Sequence, residues 1–498
     1  MKNLAPQSES ERAPGRTPEI GLDPESWDDL RAHGHRVLDE LFDWLRDVGT
    51  RPAWQAMPEA SREALRSPLP REGEGLERAW DDFREHVLPY PWGNIHPRFW
   101  GWVVGTGSPS GALAELATAV FNVNAGGGNH AGPYLERQVV DWCKEMVGFP
   151  AEASGLLVTG GSVANLVGLA AARDAAGTTI PEEGVAAAGR GLVMYASAQT
   201  HNSVDKAVRL LGLGQRGLRA ISVDGEHRIS LAALEEAIRE DRAAGLRPCC
   251  VVGNAGTVNT GAIDDLAALA DLCARERLWF HVDGAFGALV ALSEQLRPLV
   301  LGMERADSIA FDLHKWMYMP YDIGCILVRD PVAHQRPFST HASYLSRLPR
   351  GAAPIDRDPG TLGPELSSEL RGLKAWLLLK EHGAGKYGRL IEQNVAQAAY
   401  LADRVRATPE LELMAPVPLN IVCFRYRGDG SGGVDLDQLN TELLMRLQER
   451  GIAVPSQTML GGRFALRVAI VNHRSRREDF DLLVDQSVEL GREIARGG

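Results

Sequence analysis

From Gly155 to Asp283 short apolar runs alternate with stretches of helical periodicity, and this alternation constrains the chain more than any other feature. Gly155-Leu-Leu-Val-Thr159, Gly191-Leu-Val-Met-Tyr195, Pro248-Cys-Cys-Val-Val-Gly253 and Leu278-Trp-Phe-His-Val282 read as strands. A helix is expected over Val163 to Ala176, and another from about Ser203. Strands that are apolar along their whole length and separated by helices predict a mostly parallel α/β sheet covered on both faces. Ligands of such sheets gather beyond the carboxyl ends of the strands. The residues that follow each strand are therefore the first candidates for chemistry.

This pattern assigns residues 96–385 to a large domain and 386–498 to a smaller α+β domain. The smaller one reads as a helix from Tyr387 to Thr408, strands at Ile421 to Tyr426 and Phe464 to Val471, and a last helix near Arg477 to Ala495. Residues 21–95 read as helices broken at Arg51-Pro52 and around Ser67 to Pro70. They carry too few apolar positions for a core of their own, so they are expected to act as an arm on another surface, such as a second subunit. Residues 1–20, rich in Pro, Ser, Glu and Arg, are expected to be disordered and show no apolar signal region.

Composition narrows the classes further. The net charge of -12 is scattered, without the basic stripe that nucleic-acid binding requires. No run of about 18 apolar residues is present, so no membrane span is expected. The six cysteines form no C-x-x-C pair, which argues against zinc and thioredoxin-like chemistry. They suit a reducing compartment, and a cytoplasmic location is expected.

Four stretches carry candidate chemistry. Lys315 closes Asp307-Ser-Ile-Ala-Phe-Asp-Leu-His-Lys315, after an apolar strand. It reads either as a surface charge or as a Schiff-base lysine whose pKa partial burial would lower. Asp283, at the end of a strand in His281-Val-Asp-Gly-Ala285, reads as a helix cap or as the partner of a pyridine nitrogen. Thr159-Gly-Gly-Ser-Val-Ala-Asn165 places backbone N–H groups at a helix N-terminus, a generic phosphate cradle. His201 reads as a partly buried histidine or as a ring stacked on a planar cofactor. Together these residue types match the needs of pyridoxal 5'-phosphate (PLP): a lysine, a carboxylate and a phosphate site.

In this order the stretches resemble the group II PLP-dependent decarboxylases, which include enzymes acting on aromatic L-amino acids, histidine and glutamate. The resemblance runs from about Trp92 to Glu493 and includes Asn94-Ile-His-Pro-Arg-Phe-Trp100, Ala255-Gly-Thr-Val-Asn-Thr-Gly261, Leu370-Arg-Gly-Leu-Lys-Ala-Trp376 and Leu466-Arg-Val-Ala-Ile-Val-Asn472. It implies PLP fold type I and a homodimer with the active site near the subunit interface. It also implies roles by position. Lys315 would hold PLP as a Schiff base, Asp283 would meet the pyridine nitrogen, and Ala285 would touch the ring. His201 would stack over the ring and Thr257 would lie nearby. Gly161 and Ser162 would bind phosphate, and His314 would orient cofactor or substrate. Trp100 and Trp102, in an aromatic cluster with Trp92 and Phe99, would contact the substrate and favour an aromatic one.

The chain also departs from the family pattern. The family often places a proton-donating tyrosine on a mobile loop, yet the matching position falls near Pro359-Gly360. Tyr344 is the tyrosine between Asp322 and Lys386, and reads either as the acid or as a packing residue. Val163 stands where the family often has Glu, and Ser367-Ser-Glu369 where it often has Ser-Arg-Arg. The expected reaction is decarboxylation of an aromatic L-amino acid to its amine. A decarboxylating aldehyde synthase, a non-catalytic PLP-binding relative and an aminotransferase are the alternatives.

Overall fold

The computed structural model describes residues 20–177, 179–188, 191–339, 350–352, 359–428 and 435–497. The expected N-terminal tail, apart from Ile20, and the candidate acid Tyr344 lie outside the described residues.

Seven strands build the large sheet: β1 (Ser154–Val158), β2 (Leu192–Ser197), β3 (Leu218–Ile221), β4 (Arg247–Asn254), β5 (Trp279–Asp283), β6 (Ser308–Asp312) and β7 (Gly324–Val328). Their order is β1-β7-β6-β5-β4-β2-β3. The pairs β2–β3, β2–β4, β4–β5 and β5–β6 are parallel, while β7 runs antiparallel to both β6 and β1. The mostly parallel sheet is thus as expected, with β7 as its reversed strand. The expected strands do not include β7, because it returns from β6 without an intervening helix of any length. Its five residues are all buried, as are those of β2 and β6, which accounts for their continuous apolar character.

The helix Gly161–Ala176 follows β1 and buries ten of its residues. Its small side chains allow the close approach: a Cβ on Gly168 would stand 2.7 Å from the ring of His281 in β5. The register of β5 against β6 pairs Asp283 with Ala310. Both strands therefore deliver their carboxyl ends to one edge of the sheet.

A second sheet is antiparallel throughout, with β8 (Leu411–Leu413), β9 (Ile421–Tyr426), β10 (Ser456–Leu460) and β11 (Arg463–Ala469) in the order β10-β11-β9-β8. The helices Ala384–Ala407, Leu436–Glu449 and Arg477–Ala495 share its core. Trp100 belongs to this core, 1% exposed and stacked on Phe480 at 4.9 Å. Its backbone N–H donates to Val454 and its carbonyl accepts from Ala469.

The N-terminal helices Trp27–Arg46 and Leu76–His86 bury none of their residues. Among the described residues no helix is long and apolar enough to cross a membrane.

Candidate functional site

The carboxyl ends of β1, β2, β5 and β6 surround a cavity of about 290 Å³. Gly161, Ser162, His201, Asp283, Ala285, His314 and Lys315 all line it, so seven of the residues singled out from the sequence come together. Trp100, Trp102 and Thr257 do not line it. Trp100 is committed to the small-domain core. Thr257 is 1% exposed, and its hydroxyl is tied to Thr260 at 3.2 Å and to the N–H of Ala262. Trp102 sits beside Trp92 at 4.8 Å and Phe99 at 6.3 Å in a cluster that leaves both tryptophans about half exposed.

Lys315 lies one short turn beyond β6, in Leu313–Trp316. Its Nζ is 2.8 Å from Asp312 Oδ2. Burial pulls the ammonium pKa down, but Asp312, with help from Asp283 and Tyr321, outweighs this and raises it above the usual value. The expectation of a lysine lowered by burial is therefore corrected by the adjacent carboxylate of Asp312. Asp312 is 1% exposed, and its Oδ1 has no hydrogen-bond partner among the described residues.

Asp283 is 5% exposed and doubly held. Oδ2 accepts from Asn165 Nδ2 at 3.0 Å, and Oδ1 accepts from the N–H of Ala285 at 3.1 Å. Asn165 is oriented in turn. Its Oδ1 lies 2.9 Å from His281 Nε2, while His281 Nδ1 lies 2.7 Å from Ser308 Oγ. Trp279 Nε1 donates to Ser308 Oγ at 2.8 Å, so the serine hydroxyl is left to donate to His281. Burial pushes His281 down to about 3, so the ring is neutral and carries its hydrogen on Nε2. The chain Trp279–Ser308–His281–Asn165 thus presents an amide N–H₂ to Asp283.

The same amide reaches the other side of the cavity. Asn165 Nδ2 donates to Ser203 Oγ at 3.0 Å, and Ser203 Oγ meets His201 Nδ1 at 2.9 Å. His201 also caps the helix Asn202–Leu210 by accepting from the N–H of Ser203. Partial burial lowers its pKa. Asp283 opposes that shift, and Lys315 and Lys206 reinforce it. His314 Nδ1 accepts from the N–H of Ile323 at 3.2 Å, which leaves Nε2 to carry the hydrogen. Burial lowers this pKa too. Tyr321 stacks on the His314 ring at 4.3 Å, and its hydroxyl accepts from the N–H of Gly105 at 3.4 Å.

The phosphate turn has the shape of a cradle. The first N–H groups of the helix Gly161–Ala176 have no intrahelical acceptor. A Cβ on Gly160 would lie 3.0 Å from the His314 ring, and one on Gly161 would lie 2.9 Å from Asp312 Oδ2. A side chain at either place would press the turn against His314 or Asp312. The donor-rich turn, the braced carboxylate and the primary amine fit PLP.

Sequence reasoning left Asn165, Ser203, His281, Asp312 and Tyr321 without roles. Asn165 has a visible signal, as an amide on the otherwise apolar helix Gly161–Ala176. Asp312 has another, as a carboxylate that closes an apolar strand three residues before the lysine.

These features fit a PLP site on the strand ends of a fold type I sheet. The chain belongs to the pyridoxal-dependent decarboxylase conserved domain family, whose model matches residues 58–427, and it is a PLP-dependent carboxy-lyase. It is similar to the aromatic-L-amino-acid decarboxylase of Bacillus atrophaeus, with 32% identity over 477 residues, 94% of this chain and 97% of that protein. It also resembles the TDC of Oryza sativa solved with PLP and tryptamine (28% identity, TM-score 0.88, 95% of this chain and 100% of that one). The 4-hydroxyphenylacetaldehyde synthase of Rhodiola rosea is a further structural relative, at 25% identity and a TM-score of 0.84 over 95% of this chain and all of that one.

Proposed function

We propose that the protein removes the α-carboxyl group of an aromatic L-amino acid as carbon dioxide and releases the amine, with PLP bonded to Lys315. The observation that carries this reading is the meeting of Lys315, Asp283 and His201 in one cavity beside the Gly160-Gly161-Ser162 turn. An aromatic substrate is supported by the names of the relatives and by the tryptamine bound to the rice protein. Trp92 and Trp102 form a half-exposed aromatic pair outside the cavity lining.

PLP supplies a conjugated ring that accepts the electron pair left on the α-carbon when carbon dioxide departs. The residues of this chain provide the rest. Asp283, held by donors from Asn165 and Ala285, would meet the ring nitrogen and favour a proton there. Lys315 must shed its extra proton before its amine can attack a carbonyl, and Asp312 Oδ2 is the base at hand. His201, with its lowered pKa, stays neutral near pH 7 and would cover a ring face without adding charge. The N–H groups of Gly161 and Ser162, at the positive end of their helix, would take the phosphate. His314 Nε2–H is free to meet cofactor or substrate.

One specific observation favours a second reading. Pro359–Thr361 forms a short turn at the place where the family acid is expected, and it carries no tyrosine. An aldehyde synthase also stands among the structural relatives. In that reading oxygen intercepts the carbanion, and aldehyde, ammonia and peroxide replace the amine.

A panel of L-amino acids offered to the PLP-loaded protein tests both readings. Amine and carbon dioxide without oxygen uptake are expected. Aldehyde with peroxide would establish the second reading, and turnover of a keto acid without carbon dioxide would overturn both.

The protein is proposed to work as a homodimer. The helix Pro109–Phe121 exposes Leu113, Leu116, Val120 and Phe121 along one apolar surface, and the N-terminal helices bury nothing in a single chain. Six free, buried cysteines suit a reducing, cytoplasmic setting.

A further inference from the structure

We propose that Asn165 and Ser203 are positioning residues that lock His201 as its Nε2–H tautomer, so that the ring offers the cavity a hydrogen-bond donor. This rests on the reading of the cavity as a PLP site, and adds to it what decides which nitrogen of the covering ring carries the hydrogen.

The groups that bound this network leave no choice of direction. The indole Nε1 of Trp279 and the backbone N of Ser203 can only donate, and the carboxylate of Asp283 can only accept. Asp283 Oδ2 lies 3.0 Å from Asn165 Nδ2, so the amide turns its N–H₂ to the carboxylate and its Oδ1 to His281 Nε2 at 2.9 Å. The far end requires the same orientation. Trp279 Nε1 donates to Ser308 Oγ at 2.8 Å, and the Ser308 hydroxyl donates to His281 Nδ1 at 2.7 Å. The hydrogen of His281 is then on Nε2, where Asn165 Oδ1 accepts it.

Asn165 Nδ2 has a second hydrogen, which goes to Ser203 Oγ at 3.0 Å. The Ser203 hydroxyl is left to donate to His201 Nδ1 at 2.9 Å. The backbone N–H of Ser203 points at the same ring nitrogen, at 3.2 Å. A hydrogen on Nδ1 would stand against that N–H, so Nδ1 keeps its lone pair and Nε2 carries the hydrogen. Asn165 and Ser203 are 1% and 4% exposed, so the lock sits away from water. All three residues line the cavity.

The lock also holds the ring neutral. A proton added to Nδ1 would turn the Ser203 hydroxyl away and set two donors face to face. This works with burial, which lowers the ring's pKa. Among the charges that face the ring, Asp283 and Asp312 favour the imidazolium, while Lys315 and Lys206 oppose it. A neutral ring with its hydrogen on Nε2 suits an anionic oxygen on a bound ligand and disfavours an ammonium.

The test reads the ring nitrogens by nitrogen-15 NMR of full-length, histidine-labelled, PLP-free protein at pH 7, with His201→Gln identifying the signal. Wild type is expected to show a protonated Nε2 and a bare, hydrogen-bonded Nδ1. A protonated Nδ1, or averaging between the two tautomers, would overturn the proposal without recourse to any positioning variant. Ser203→Ala removes the hydroxyl. It is expected to move the Nδ1 resonance towards that of an unbonded nitrogen and to lower turnover of the PLP-loaded protein about tenfold. Ser203→Thr keeps a hydroxyl and is expected to restore both. An unchanged resonance or unchanged turnover in Ser203→Ala protein that binds PLP would overturn the proposal, as would a loss in PLP-binding Ser203→Thr protein as large as in Ser203→Ala. Wild-type protein that forms no visible PLP band would instead remove the cofactor reading, while the nitrogen signals of the PLP-free protein still decide the tautomer.

Discussion

Replacing Asn165 with alanine tests the bracing of Asp283 directly. The amide N–H₂ at 3.0 Å is one of two donors to that carboxylate, the other being the N–H of Ala285 at 3.1 Å. A hydrogen bond to an ionised acceptor contributes about 1.5–3 kcal/mol, which corresponds to roughly tenfold to a hundredfold in a dissociation constant. Asp283 with one donor is freer to turn and less able to hold a proton on the ring nitrogen, so PLP affinity should fall by that factor. The substitution also leaves His281 Nε2–H buried without an acceptor, at a further cost of about 1–3 kcal/mol in stability. The assay is fluorescence titration of PLP-free protein with PLP, alongside urea unfolding and circular dichroism. Ser203→Ala is the control. It cuts the link from Asn165 to His201 but leaves both donors on Asp283, and should change the PLP dissociation constant by less than about threefold. If folded Asn165→Ala protein binds PLP within threefold of wild type, the bracing contributes nothing and the reasoning fails.

Three further outcomes follow from the geometry. Glu136 accepts from the N–H of Gly372 at 3.1 Å, and burial pushes its carboxyl up to about 7. Because the folded chain holds that proton more tightly than the unfolded chain, this carboxyl's contribution to stability is fully present below about pH 4.5 and is lost as pH rises through 7. The decline should amount to about 3 kcal/mol and should vanish in Glu136→Gln, as urea unfolding across pH would show. Gly105→Ala should destabilise the protein by about 3 kcal/mol and weaken PLP binding, because its Cβ would fall 1.7 Å from the His314 carbonyl and neither backbone can yield. Tyr321, whose ring lies 4.3 Å from that of the cavity-lining His314, joins Tyr344 as a candidate proton donor, and Tyr321→Phe and Tyr344→Phe should separate the two. The variant that removes the acid should shift product from amine towards aldehyde with oxygen uptake, while the other leaves the ratio unchanged. No shift in either would exclude both tyrosines.

The chemistry-bearing positions were legible because strand ends in a parallel sheet converge, so Asp283, Lys315, His201 and the Gly160-Gly161 turn could be placed near one another without knowing a single distance. What could not be read was anything set by a contact across that edge. Asp312 looks like the last residue of an apolar strand, and only the turn of Leu313–Trp316 swings Lys315 back onto it. That contact reverses the direction in which the lysine is shifted. His281 looks like the middle of a buried strand, and its use becomes visible only once Gly168 lets the helix Gly161–Ala176 close on it and bring Asn165 within 2.9 Å. Trp100 and Trp102 show the opposite failure. Two residues apart, they read as one aromatic wall, yet the segment pairs with Val454 and Ala469 and sends Trp100 into the small-domain core. Local pattern therefore located Lys315, Asp283 and the Gly160-Gly161 turn. Their protonation depends on partners more than a hundred residues away, or on a single turn of chain, and there the physics of burial and charge pairing decides the chemistry.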